Sequence, residues 1–134
     1  MKISIFGMGY VGAVSFGCLA RDGHEVVGVD IDPHKLELLE AGQTPIIEAG
    51  MEALIRDAVT SGRASVTTDA AEAIARSELS FVCVGTPSTR SGGHDLIALR
   101  NVARSIGKAL RDKSAKHTVV IRSTVAPGTT EDVV

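Results

Sequence analysis

Gly7, Gly9 and Gly12 stand in the spacing G-x-G-x-x-G within IFGMGYVGAV, and Asp30 closes the run EVVGVD eighteen residues after Gly12. Residues of these types suit one kind of chemistry when a strand precedes the glycines and a helix follows them. Gly7 permits a tight turn, Gly9 lets a pyrophosphate approach the backbone, and Gly12 lets the helix pack closely on the strand. Unpaired N–H groups at the helix start, aided by the helix dipole, then face the phosphates. An acid at the end of the next strand accepts hydrogen bonds from ribose hydroxyls. Three turn-and-packing glycines without a ligand form the bland alternative, and that leaves the acid unexplained. Asp32 is a second candidate for the ribose, but Asp30 fits the strand end better. A 2′-phosphate there meets like charge, and no arginine follows Asp30 to receive it. The pattern therefore favours NAD over NADP. Lys35, one helical turn on, either reaches the adenosine side or is a solvated surface lysine.

These residues need elements to hold them. The stretch Ile3 to Ala20 has no charged residue and follows Met1-Lys2, so a secretory leader or membrane segment must be weighed. Four glycines interrupt it, each costing a helix interior about 1 kcal/mol relative to alanine. KISIF is strand-like, and Val11, Val14, Cys18 and Leu19 then recur at helical spacing, so the stretch reads as strand, glycine turn and helix. EVVGVD is a buried strand ending at Asp30, IDPHKLELLEAG a helix with Pro33 in its first turn, and GMEALIRDAVTSG another helix. ASVTT is a short strand, and DAAEAIARS a helix capped by Asp69. LSFVCVGTP is a continuous apolar strand of the kind covered on both faces. STRSGGHD is a polar loop before a helix with Leu96, Leu99, Ala103, Ile106 and Leu110 on one stripe. HTVVIRST is the fifth strand, and VAPGTTEDVV opens a last helix. Alternating strands and helices imply an α/β fold, a doubly wound parallel sheet of order 3-2-1-4-5. The ending, one turn into a helix, suggests a C-terminally truncated fragment of a longer protein. Thr129 to Val134 are expected to be poorly ordered or to lean on a neighbouring molecule.

Composition narrows the function classes. With 134 residues, 44% hydrophobic and 22% charged, at net charge −2, the chain is one globular domain. It has no basic excess or basic aromatic stretch for nucleic acid. Cys18 and Cys83 lie in apolar runs without metal-ligand spacing and read as reduced core thiols of a cytoplasmic protein. His24, His34, His94 and His117 are scattered, and nothing marks a metal site.

Four segments, KISIFGMGYVGAVSFGCLARDGHEVVGVDID, TPIIEAGMEALI, SFVCVGTPS and VVIRSTVAPGT, resemble the N-terminal NAD-binding domain of the UDP-glucose/GDP-mannose dehydrogenase family. The resemblance spans nearly the whole chain, in order and spacing, and is most similar to the GDP-mannose branch. It implies a nucleotide-sugar 6-dehydrogenase that oxidises GDP-mannose to GDP-mannuronate with two NAD per sugar. A UDP-glucose 6-dehydrogenase and a stand-alone NAD-sensing domain are the alternatives. Carried over by resemblance, the backbones of Tyr10 and Val11 lie on the pyrophosphate, Asp30 and Lys35 contact the adenosine ribose, and Thr86 contacts the cofactor. Thr124 sits near the nicotinamide and the reacting centre in a supporting catalytic role. Each threonine has a plainer reading as a turn or capping residue. The family's EPG is EAG here, with Ala49 in place of proline. The nucleophilic cysteine belongs to a later segment that these residues do not contain, and neither Cys18 nor Cys83 has its GGSCLPKD-like context. The implied partners are a nucleotide sugar and, for a full-length enzyme, further copies of itself, with no nucleic acid or membrane.

Overall fold

A computed structural model describes residues 1–90 and 92–133. The elements run β1 (Lys2–Phe6), α1 (Tyr10–Arg21), β2 (Glu25–Val29), α2 (Pro33–Glu40), α3 (Met51–Thr60), β3 (Ala64–Thr67), α4 (Ala70–Arg76), β4 (Leu79–Val82), α5 (Ile97–Leu110), β5 (Thr118–Ile121) and α6 (Thr129–Val133). The five strands form one parallel sheet in the order β3-β2-β1-β4-β5. This is the doubly wound order that the alternation of elements predicts.

The period of two along β1 divides the interior. Ile3 and Ile5 point into a core shared with Met8, Phe16, Leu39 and Ile55, under α1, α2 and α3. Phe6 points the other way, joining Val27, Val82, Ile74, Leu99 and Ile106 under α4 and α5. Helix starts follow local chemistry. Asp32 caps α2 by accepting the His34 N–H, with Pro33 in the first turn, and Asp69 caps α4 by accepting from Ala71 and Glu72.

Three expectations are corrected. β4 ends at Val82, short of the CVGTP that the apolar run includes. It is also not sealed on both faces: Ser80 and Val82 are buried while Leu79 and Phe81 are half-buried, because α1 to α3 sit mainly over the other three strands. For the same reason both cysteines are half-buried rather than wholly inside. Cys83 packs against the first core, and Cys18 lines an open groove with Val14, Leu19, Phe81 and Arg122. Residues 129–133 form the short helix α6 that VAPGTTEDVV opens, with Thr129 buried and Val133 against the second core. Val134, and Ser91 in the polar loop, lie outside the described residues.

Candidate dinucleotide-binding site

The carboxyl ends of β1, β2, β4 and β5 meet at one edge of the sheet, where ligands of open α/β folds bind. β1 is pinned there on both sides. The Gly7 N–H donates to the Val29 carbonyl at 2.8 Å, and the Cys83 N–H to the Phe6 carbonyl at 2.8 Å. Its exit is then a turn in which the three glycines have distinct surroundings. Gly7 has φ +97°, and a Cβ there would lie 3.0 Å from backbone atoms of Cys83 and Val84. A Cβ on Gly12 would lie 1.8 Å from the Gly7 carbonyl oxygen, so α1 closes directly onto the turn. Gly9 differs: a Cβ there would meet nothing within 4 Å. Its bareness has no packing explanation and keeps open the space in front of the start of α1. Gly9 is also the N-cap, without a side-chain cap bond. The first amides of α1 have no intrahelical acceptor and border that space.

Asp30 is buried at the end of β2. Its Oδ2 accepts the Met8 N–H at 2.7 Å, Oδ1 accepts the Asp32 N–H at 3.0 Å, and Lys35 Nζ lies 3.5 Å from Oδ2. One carboxylate thus ties the glycine turn to the β2 exit, with Lys35 beside it. Asp32, the other candidate for a ribose, is engaged as the α2 cap. Beside Asp30 opens a cleft of about 170 Å³ with mostly apolar walls, including Gly7, Ile31, Val84, Ala98 and Val102, and with Asn101 as a polar member. A cleft of this size and lining has room for a planar ring. The sequence reading missed the cleft walls. Ile31, 95% exposed directly after the acid, is the one local signal for them.

The loops beyond β4 and β5 are stitched together. The Thr86 hydroxyl donates to the Thr124 carbonyl at 2.6 Å, and the Ser123 hydroxyl to the Val84 carbonyl at 2.7 Å. His94 Nδ1 lies 3.2 Å from the Thr86 carbonyl oxygen, which can only accept, so Nδ1 carries the proton in that contact. The two threonines are therefore neighbours, across the turn from Asp30. Another residue absent from the sequence reading is Glu48, whose carboxylate accepts the Tyr10 hydroxyl at 2.8 Å. Among the described residues no group of three or more His, Cys, Asp or Glu side chains could hold a metal ion. No described helix is long and apolar enough to cross a membrane.

Comparison with known proteins places this geometry. The model of the UDP-glucose/GDP-mannose dehydrogenase family, NAD binding domain, matches residues 1–134. The chain belongs to this family. It is 54% identical over 134 residues to GDP-mannose 6-dehydrogenase of Pseudomonas aeruginosa, covering 100% of this chain and 31% of that protein. Against UDP-glucose 6-dehydrogenase of Rhizobium meliloti the identity is 45%, over 99% of this chain and 30% of that protein. The fold superposes with a TM-score of 0.97 on a crystal structure of a ternary complex of GDP-mannose dehydrogenase from P. aeruginosa. That match is 53% identical and covers 99% of this chain and 30% of the other. The chain thus spans about a third of the length of these relatives, and it is their NAD-binding domain that it matches.

Proposed function

We propose that these residues are the NAD-binding domain of a nucleotide-sugar 6-dehydrogenase acting on GDP-mannose. The observation that carries the cofactor role is the open space at Gly9 before the uncapped amides of α1, next to a cleft lined by Gly7 and Asp30. The higher identity to the GDP-mannose enzyme than to the UDP-glucose enzyme supports the substrate. Bound NAD would supply the hydride acceptor. The chain's own part is binding and orientation. The amides of Tyr10 and Val11 take the pyrophosphate, Asp30 and Lys35 the adenosine ribose, and Thr86 and Thr124 flank the nicotinamide side. With Asp30 where a 2′-phosphate would sit, NADPH is disfavoured.

On its own the domain binds cofactor without oxidising the sugar. Taking an aldehyde to the acid level through a covalent thioester needs a cysteine activated as thiolate. Burial pushes the Cys83 thiol up from its ordinary value, the Arg122 charge opposing it only in part, which is the wrong direction for a reactive cysteine. In a full-length enzyme we expect a cytoplasmic homo-oligomer with the nucleophile in a later segment.

Gly9→Val is the test. Gly9 has φ −77° and ψ −161°, open to any L-residue, and an added Cβ meets nothing within 4 Å. The variant should fold, with a melting temperature lowered only by the weaker N-cap, yet lose most NADH affinity. NADPH should bind the parent more weakly than NADH. Full NADH affinity in Gly9→Val would remove the pyrophosphate from this turn.

A further inference from the structure

We propose that Glu48 is a positioning residue for the cofactor's pyrophosphate. By accepting a hydrogen bond from the Tyr10 phenol it fixes the first turn of α1 without occupying the amides the ligand needs. This deepens the reading of Tyr10 and Val11 as pyrophosphate contacts and rests on it.

The reasoning starts from a missing cap. α2 and α4 begin with aspartates that accept first-turn amides. A cap of that kind on α1 would fill the donors that bind phosphate. Gly9 avoids the conflict but leaves the first turn without a side-chain cap, and an uncapped first turn is more prone to fray. Tyr10 is the first residue of that turn. Its Oη donates to Glu48 Oε2 at 2.8 Å, linking positions 38 residues apart.

The acceptor is itself held. The Met51 N–H donates to the Glu48 carbonyl at 3.2 Å, and Gly50, with φ +81°, turns the chain into α3. α3 packs on α1 at close range: a Cβ on Gly17 would lie 2.7 Å from Leu54 Cγ. The approach to α3 therefore brings an exposed carboxylate to the start of α1, where the helix dipole favours negative charge. The hydrogen bond to Glu48, and then its charge, raise the Tyr10 phenol above its ordinary value. A phenol is in any case a donor across neutral pH. The arrangement has one opposing component, because the same carboxylate repels an incoming pyrophosphate. Glutamine separates the two effects: it keeps an acceptor oxygen for the phenol and drops the charge.

The experiment titrates the 134-residue chain with NADH, ADP-ribose and adenosine, in the parent, Tyr10→Phe, Glu48→Ala, Glu48→Gln and the Tyr10→Phe/Glu48→Ala pair, with melting temperatures alongside. Tyr10→Phe and Glu48→Ala should each weaken NADH and ADP-ribose roughly three- to tenfold, as loss of one exposed charge-assisted hydrogen bond allows. The double variant should be no weaker than either single one. Glu48→Gln should bind NADH as tightly as the parent, or more tightly. Adenosine, which has no phosphate, should be indifferent to all of them. NADH affinity within twofold of the parent in Glu48→Ala would overturn the proposal. So would additive losses in the double variant, or an equal loss for adenosine. If Gly9→Val retains NADH affinity, the pyrophosphate reading falls and the role of Glu48 with it. If Gly9→Val loses affinity while Glu48→Ala does not, only the role of Glu48 falls.

Discussion

Lys113→Met should destabilise the domain by roughly 2–3 kcal/mol at about pH 8 and should also reduce its sensitivity to acid. Lys113 lies at the amino ends of the strands, across the sheet from the cofactor edge. Its ammonium donates to the Ile74 carbonyl at 2.6 Å, to the Ser77 carbonyl, and to His117 Nδ1 at 3.1 Å. An ammonium has no lone pair, so Nδ1 must be the acceptor and His117 is neutral with its proton on Nε2. That proton goes to Ser80 Oγ at 2.8 Å, and Ser80 Oγ lies 2.7 Å from Ser4 Oγ. Ser77 Oγ, 2.9 Å from Ser4 Oγ, also donates to the Ala73 carbonyl at 2.7 Å. Ser4, Ser77 and Ser80 are all buried. A hydrogen bond from a charged group contributes about 1.5–3 kcal/mol. Lys113 makes three, but it is only half-buried and water can replace part of the loss. The exposed pairs Glu52–Arg56 and Glu72–Arg76 give a scale for comparison, being worth about 0.3–0.5 kcal/mol each. One lysine at this position therefore outweighs both.

The acid effect has a defined sign. Burial first, and the Lys113 charge second, lower the His117 pKa from its ordinary value, and a Ser77 backbone contact offsets part of this. The unfolded chain takes up its proton near pH ~6.5, while the folded chain resists until a lower pH. Stability is therefore complete above about pH 6.5 and falls as pH drops from there toward the folded-state value, with a slope below about 1.4 kcal/mol per pH unit for one proton. His117 keeps some contact with water, so the slope should be well under this limit. Removing Lys113 removes the second cause only, so the slope should shrink without vanishing. Urea unfolding followed by circular dichroism, for parent and variant at several pH values, measures both quantities. Unchanged stability at about pH 8 would refute the reading of Lys113 as the tie between α4 and β5. Equal acid slopes would show that His117 does not feel its charge.

Gly12→Ala, in contrast to Gly9→Val, should fail at folding: with a Cβ at 1.8 Å from the Gly7 oxygen, the turn and α1 must separate, at a cost above the roughly 1–3 kcal/mol of ordinary overpacking. Expression and thermal melting of the two variants check the contrast. Asp30→Ala should narrow the preference for NADH over NADPH in paired titrations and, by freeing the buried Met8 N–H, lower stability by roughly 2 kcal/mol. In a Cys18→Ser background, Cys83 should react with a thiol reagent at neutral pH more slowly than free cysteine does, because burial raises its pKa; a faster reaction would point to an activated thiol.

The contrast between Gly9 and Lys113 shows what a sequence of this kind makes legible. The glycine turn and the β2 acid are local: their spacing fixes which atoms meet, and strand, turn and helix follow from residues within a few positions of each other. Asp30 was readable as the end of a strand. Its bond to the Met8 amide was not, because that bond depends on β1 and β2 being neighbours in register. Lys113 carries no signal in the sequence, His117 reads only as the first residue of the fifth strand, and Ser4 and Ser80 lie inside runs that read as strands. Only the parallel pairing of β1 with β4, which sets Ser4 opposite Ser80, turns two separate serines into one buried hydroxyl pair that requires a partner. The same holds for Tyr10 and Glu48: the first is flagged by its motif, while the second becomes visible only once α3 lies along α1. What the sequence left hidden is thus mostly polar and non-local. An unpaired buried polar group is costly, so these hidden contacts constrain the fold as tightly as the apolar pattern does.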